Sequence, residues 1–426
     1  MMQHILYPDM QNADTLLIRP SGDLSVYREK AAGMLAAIRR EGDAAVRRFS
    51  LQFDGQEPAA VTEAAFEQAE AGLSPALKAA IRQAYANIRA FHAAQQEDMA
   101  PVETMPGVLC WRRSVPIERV GLYIPGGTAP LFSTVLMLGV PAQLAGCPDV
   151  VLCTPPQPNG EVHPAVLFSA ALCGIRKVFS IGGVPAIGAM AYGTETVPRV
   201  WKIFGPGNPW VTAAKQLVSL DGVAIDLPAG PSEVAIVADA AANPAFVAAD
   251  LLSQAEHGAD SQVLLISDSE SLLQAVAAEL NRQMADLPRQ EIARQAIAHS
   301  KALLVDSLEE AMDWVNLYAP EHLILQTQQP EQLAEQVVNA GSVFLGPYTP
   351  ESAGDYASGT NHTLPTGGYA RAYAGVSLDS FVKKITFQQI TEKGLEKLGP
   401  AIVEMANAEG LAAHARAVTL RMHAVF

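Results

Sequence analysis

The sequence predicts an α/β protein: two Rossmann-like parallel-sheet domains of non-standard form, a short N-terminal arm and a helical C-terminal tail. Two observations carry this. From Arg119 onwards, short apolar runs alternate with Ala-rich stretches of helical period. They recur roughly every 25–35 residues, the rhythm of βαβ units and hence of parallel sheets. The runs also form two successive series, and a chain of 426 residues exceeds what one ordinary core serves.

Taken in order, residues 1–20 read as an arm rather than a domain. Residues 26–96 place apolar side chains three and four apart, as in MLAAIRREGDAAVRRF and ALKAAIRQAYANI, the spacing of amphipathic helices. The first strand series is VGLYI, DVVLC, KVFSI, RVWKIF and GVAIDL. The second is EVAIVA, QVLLIS, KALLVD, HLILQ and SVFLG. Residues 346–377 follow, a glycine-rich segment containing GDYASGTNHTLPTGG, whose composition argues against regular structure. Its length is roughly twice that at which structureless connections become uncommon. From Ser377 the chain turns mostly helical, in GLEKLGPAIVEMANAEGLAAHARAVTLRM, with a short apolar stripe that another surface must cover. A second subunit could supply that surface. The expected division is an arm over 1–20, a discontinuous α/β domain over 21–122 and 234–376, a second over 123–233, and a tail over 377–426.

Composition narrows the function. A net charge of −15, with no basic run longer than Arg112-Arg113 or Lys383-Lys384, opposes binding to nucleic acid or anionic lipid. No apolar segment reaches the ~18 residues that span a bilayer, and MMQHILYPDMQNAD lacks the pattern of a signal peptide. Four cysteines without a CxxC pair fit reduced thiols, and the expected location is the cytoplasm.

Four strand ends carry glycine-rich turns: GLYIPGGTAP, SIGGVPAIG, IFGPGNPW and LPAGPSE. None is a GxGxxG, and each alone is an ordinary turn. Together they suggest a nucleotide or phosphate crevice at the carboxyl ends of strands. In SQAEHGADS, Gln254 and His257 share a helix face; His257 is either a capping residue before Gly258 or a metal ligand. In YAPEHL, Glu321 and His322 offer an adjacent carboxylate and imidazole, suited to proton transfer or simply a solvated strand start. His414 follows Glu409 by five residues on the tail. Cys147 and Cys153 flank DVVLC, as small buried side chains or as a thiol nucleophile for aldehyde chemistry.

These segments, with VGLYIPGGTAPLFSTVLML, DLPAGPSEVAIVAD, DLLSQAEHGADSQVLL and GDYASGTNHTLPT, resemble the histidinol dehydrogenase family along nearly the whole chain, from about Leu17. The resemblance implies a zinc enzyme, with one Zn2+ per subunit, that oxidises L-histidinol to L-histidine with two NAD+. It implies zinc ligands at Gln254, His257, Asp355 and His414, and an acid–base pair at Glu321 and His322. Substrate contacts fall on Ser232, His322, His362 and Glu409 as well as the metal ligands, and cofactor contacts on Tyr123 and Asn208. A homodimer is implied in which each tail completes the neighbouring active site, through Glu409 and His414. One position departs: where the family reads GG-x-Gln-Ala, this chain has Pro185, which offers neither an amide side chain nor a backbone N–H. Weaker NAD+ binding is expected there. Rival readings are a related dehydrogenase of another small alcohol, such as a sulfonated diol, a zinc hydrolase with Glu321 as base, and a silent metal-stabilised binding protein.

Overall fold

The structure, a computed structural model, describes residues 2–20, 24–97, 99–126, 130–227 and 230–423. Residues 127–129 of GLYIPGGTAP and 228–229 of LPAGPSE lie outside the described residues. Two compact units divide the chain: Met1–Gln95 with Ile117–Phe381, and Gln96–Pro116 with Val382–Phe426.

In chain order the first strands are β1 (Gln3–Leu6), β2 (Val102–Met105), β3 (Val108–Pro116), β4 (Arg119–Tyr123), β5 (Asp149–Thr154), β6 (Lys177–Ser180) and β7 (Lys202–Phe204). The rest are β8 (Ala224–Ile225), β9 (Glu233–Ala238), β10 (Gln262–Ser267), β11 (Lys301–Leu304), β12 (His322–Gln326), β13 (Ser342–Leu345) and β14 (Val382–Ile390).

The larger unit holds two parallel sheets. One runs β6-β5-β4-β7-β8 and takes up the whole first series of apolar runs. The other runs β1-β11-β10-β9-β12-β13 and takes up the second series. Its edge strand β1 comes from the N-terminal arm, which pairs with β11 instead of hanging free. Strands β9 and β10 are buried at every residue, which is why they read as unbroken apolar runs rather than alternating ones. The helices foreseen over 26–96 cover the first sheet's helical layer: Ser25–Glu41 lies on Gly183–Tyr192 and Pro209–Leu220, and Pro75–Ala93 lies on Phe132–Ala145. Ser74 caps Pro75–Ala93 by accepting from the Leu77 N–H at 3.2 Å, with Pro75 fixing the first turn.

In the first sheet the strand order reverses between β4 and β7, so a crevice opens at their carboxyl ends. Gly205 makes the close approach there possible. Its φ is +125°, and a Cβ would lie 2.0 Å from the Tyr123 carbonyl oxygen. The turn is held by a buried pair: Lys215 Nζ bonds the Gly205 carbonyl at 2.8 Å and the Asp226 carboxylate, which accepts the Gly205 N–H at 2.7 Å.

The smaller unit is an antiparallel sheet, β14-β3-β2, with helices Glu392–Ala408 and Ala412–Met422 packed on each other. Residues 377–426 are mostly helical, as expected, with strand β14 added at their start. VKKITFQQI does not alternate strictly, but it pairs with β3 along its whole length, with most of its residues exposed. Among the described residues of this unit, only Val108, Ala406 and Ala415 are buried apolar side chains.

A correction concerns GDYASGTNHTLPTGG. Its first residues are regular: Glu351–Tyr356 forms a short helix, and irregular backbone begins only after it. The segment therefore presents Asp355 from a helix, not from a loop.

Candidate active site

The helix Leu308–Tyr318 ends at Ala319, a non-glycine residue in left-handed conformation (φ 52°), followed by Pro320 and Glu321. Such a conformation costs about 1–2 kcal/mol and persists only where surrounding contacts hold it. The chain then enters β12 at His322, between Val234 of β9 and Ser342 of β13. This places the pair at the amino end of the sheet, the opposite end from that expected of strand-end ligand sites.

Three carboxylates surround the buried imidazole. His322 Nδ1 lies 3.7 Å from Glu321 Oε2 and 3.8 Å from Glu351 Oε1, and Nε2 lies 3.7 Å from Asp355 Oδ1. All are beyond hydrogen-bond reach, and Nδ1 has no hydrogen-bond partner. Burial lowers the His322 pKa to about 4, against the opposing pull of Asp355, so the ring is neutral at pH 7. Glu321 is placed by two donors: its Oε2 accepts from the Glu233 N–H at 3.0 Å and from Gln254 Nε2 at 3.4 Å. Burial nonetheless holds its carboxyl well above the usual range, and the nearby charges of Glu233 and Asp355 add to this.

Gln254 sits in the last turn of helix Pro244–Ala255, and His257 just beyond it. His257, Glu351 and Asp355 bring ligand atoms within 4.8 Å of one another. Both oxygens of the fully buried Glu351 lack partners, as does Gln254 Oε1. An imidazole, two carboxylates and an unpartnered amide oxygen fit a divalent cation with mixed N/O preference, zinc among them. Glu351 escaped the sequence reading. Its signal was available: it lies four residues before Asp355, one helical turn along the same face.

His362 follows in the irregular part of the segment. Its Nδ1 lies 2.8 Å from the Asp355 carbonyl, which can only accept, so Nδ1 carries the hydrogen. Burial lowers its pKa, and the neutral ring's Nε2 accepts the Thr134 hydroxyl at 3.0 Å. The ring thus fixes the backbone of Asp355. Ser232, half-buried, directly precedes Glu233. Glu409 caps the end of helix Glu392–Ala408, and His414 lies on Ala412–Met422; both side chains are exposed in the smaller unit.

Tyr123 and Asn208 come from adjacent strand ends at the first sheet's crevice. The Tyr123 ring is buried and its hydroxyl accepts the Gly183 N–H at 3.1 Å. Burial pushes its pKa up to about 12. Asn208 Oδ1 accepts from the N–H groups of Trp210 and Val211, both at 3.1 Å, leaving its amide hydrogens for other partners. Pro185 is buried in helix Gly183–Tyr192, which begins at that Tyr123 contact. The cysteines are poor nucleophiles: burial raises the Cys147 thiol to about 11 and Cys153 further still.

A neutral buried base beside a carboxylate and convergent ligand atoms suits removal of a hydroxyl proton, and the other sheet supplies a strand-end crevice. Together they define an α/β oxidoreductase. The family model described as Histidinol dehydrogenase matches residues 17–422. The histidinol dehydrogenase of Bacteroides thetaiotaomicron is 58% identical over 99% of both chains, and that of Xanthomonas euvesicatoria pv. vesicatoria 56% over 93% of this chain and 92% of its own. The crystal structure of histidinol dehydrogenase from Elizabethkingia anophelis superposes with a TM-score of 0.97 at 51% identity, covering 99% of this chain and 98% of that one. The chain belongs to the histidinol dehydrogenase family.

Proposed function

We propose that the protein oxidises L-histidinol to L-histidine in two steps, through bound L-histidinal, with two NAD+ and one zinc ion per subunit. The observation that carries this is the neutral, buried His322 set between Glu321 and the cluster of His257, Glu351 and Asp355. Gln254, His257 and Asp355 would hold zinc, together with His414 from the partner's tail. When bound, zinc gives the substrate's imidazole and amine a fixed anchor, and NAD+ bound near Tyr123 and Asn208 accepts hydride. Anchoring of this kind can contribute up to about 7–11 kcal/mol towards the barrier.

His322 takes the hydroxyl proton of histidinol during the first oxidation. Glu321, oriented by the Glu233 N–H, then draws a proton from water as that water adds to the aldehyde. His322, its first proton released to solvent, takes a hydroxyl proton of the hydrate during the second oxidation. Ser232 and Glu409 fix the substrate's hydroxyl and amine. His362 orients Asp355 through its carbonyl and, in this reading, also contacts the substrate. Retaining the aldehyde protects it from free amines.

The same reading makes the protein a cytoplasmic homodimer with exchanged tails over 377–426. Two observations support exchange: the smaller unit buries only three apolar side chains among its described residues, and Met405 and Leu420 are 67% and 62% exposed. A unit so poor in core needs a further surface. No described helix is long and apolar enough to cross a membrane.

The test supplies L-histidinol, NAD+ and zinc, and counts NADH per substrate. Two per histidinol supports the reading; one indicates a simple alcohol dehydrogenase; none overturns oxidation of this substrate. Element analysis of His257→Ala after dialysis should show zinc lost. Mixing His414→Ala with His322→Ala subunits should restore partial activity in heterodimers, and no recovery argues against tail exchange.

A further inference from the structure

Beneath the acid–base pair lies an ion pair between half-buried Arg19 and buried Glu233. Arg19, from the N-terminal arm, grips Glu233 with two nitrogens: Nε bonds Oε2, and Nη2 bonds Oε1 at 3.0 Å. The same Nη2 donates to the Tyr318 carbonyl at 2.6 Å, and the guanidinium lies over the Tyr318 ring, 4.0 Å from its centroid. Glu233 is 2% exposed and also accepts from the backbone N–H groups of Gly367 and Gly368. Its own N–H donates to Glu321 Oε2 at 3.0 Å.

One guanidinium therefore joins three segments. It holds the start of β9 through Glu233, the corner at Tyr318 and left-handed Ala319 through a carbonyl and a ring face, and the end of the 354–368 segment through the glycines on Glu233. Two of these, the β9 start and the 318–319 corner, lead directly to Glu321: the first supplies its donor, the second its backbone. The arm is itself locked, because Gln262 Nε2 bonds the Ile18 carbonyl at 3.0 Å while Gln262 Oε1 accepts from the Tyr318 hydroxyl at 2.9 Å. A planar fork with five donors can serve a carboxylate and a carbonyl while stacking on a ring; an ammonium cannot do all three.

We propose that Arg19 is a positioning residue for Glu321: through Glu233 and the Tyr318 carbonyl it sets where the Glu321 carboxylate stands, and so governs the hydration step more than the first oxidation. This rests on the roles given to Glu321 and His322 above. Loss of the fork leaves His322 able to start the reaction but lets Glu321 drift from the Glu233 N–H. The aldehyde then forms faster than it is hydrated, and part of it escapes.

The experiment compares wild type, Arg19→Lys and Arg19→Ala in the full-length zinc-loaded enzyme, with semicarbazide to trap free aldehyde. The expected result is a kcat lowered roughly 10–100-fold, the loss that a misplacement of about 1 Å produces, with KM for histidinol little changed. NADH per histidinol should fall from two towards one as trapped aldehyde appears, and millimolar guanidinium should restore part of the loss in Arg19→Ala. A purely structural role would lower the melting temperature and the active fraction while leaving two NADH per substrate, and that result overturns the proposal. If Arg19→Ala does not fold, Arg19→Lys is judged by the same ratio. A crystal structure of Arg19→Lys decides the matter independently of what the enzyme oxidises. Glu321 withdrawn from the Glu233 N–H supports the proposal, and Glu321 unmoved overturns it.

Discussion

Gly341→Ala tests how finely the acid–base pair must be placed. The Gly341 N–H donates to the Pro320 carbonyl and the Ser342 N–H to the Glu321 carbonyl, both at 2.9 Å, so β13 is stapled to the backbone that carries Glu321 and His322. A methyl at position 341 would lie 2.5 Å from the Glu321 carbonyl oxygen, 3.3 Å from its carbonyl carbon and 3.2 Å from Leu364 Cβ. The first contact is about 1 Å inside ordinary packing distance. The obstacle is backbone, which cannot swing aside as a side chain would, so the 320–322 chain must yield. A displacement of about 1 Å at reacting groups costs about 100-fold, or about 2.7 kcal/mol on the barrier. Overpacking adds about 1–3 kcal/mol against stability. Steady-state kinetics with histidinol and NAD+, alongside thermal melting, should show kcat falling about 100-fold in a protein that remains folded at 25 °C. A kcat within about threefold of wild type would refute the claim that this backbone sets catalytic geometry.

Pro185→Gln should lower the KM for NAD+, because the amide group usual in the family returns beside the Tyr123 contact; an unchanged KM removes Pro185 from the cofactor site. Asp226→Asn should cost about 3–5 kcal/mol by stranding buried Lys215, and should raise the KM for NAD+ by loosening the Gly205 turn; melting and kinetics check the two parts separately. His92 is fully buried, bonded to Gln95 Oε1 at 2.9 Å and near Asn361 Nδ2 at 3.4 Å, and burial holds its pKa below 6.5. Below pH 6.5 the unfolded chain binds a proton that the native ring refuses. Its contribution is thus whole above pH 6.5 and is lost as pH falls through the native pKa. His92→Gln should make the decline in melting temperature between pH 7 and 5 shallower, and an equal slope in both proteins counts against this.

The parallel sheets were legible because strands buried on both faces leave unbroken apolar runs, as in EVAIVA and QVLLIS. Strand β14 was hidden because its apolar residues, Val382, Ile385, Phe387 and Ile390, do not alternate and it lies next to long helical sequence. Helix Glu351–Tyr356 was hidden by the glycines that follow it, and with it went the i, i+4 relation of Glu351 to Asp355. The proximity of Glu321 and His322 was visible as adjacency alone; the three flanking carboxylates were not. Arg19 and Glu233 lie 214 residues apart and leave no local trace in either segment. Their pairing belongs to the fold alone.

The opposite placement of the two sites has an electrostatic consequence. At the amino end of the second sheet, helices Pro244–Ala255 and Leu308–Tyr318 finish, and their last carbonyls bring the negative ends of two macrodipoles towards the His257–Asp355 cluster. At the carboxyl end of the first sheet, helices Gly183–Tyr192 and Pro209–Leu220 begin, and their N–H groups offer positive ends. Each dipole end is worth about half an elementary charge. The backbone alone therefore sets a negative field at one end of the unit and a positive field at the other, the polarities that the proposed zinc and the proposed NAD+ pyrophosphate would each require.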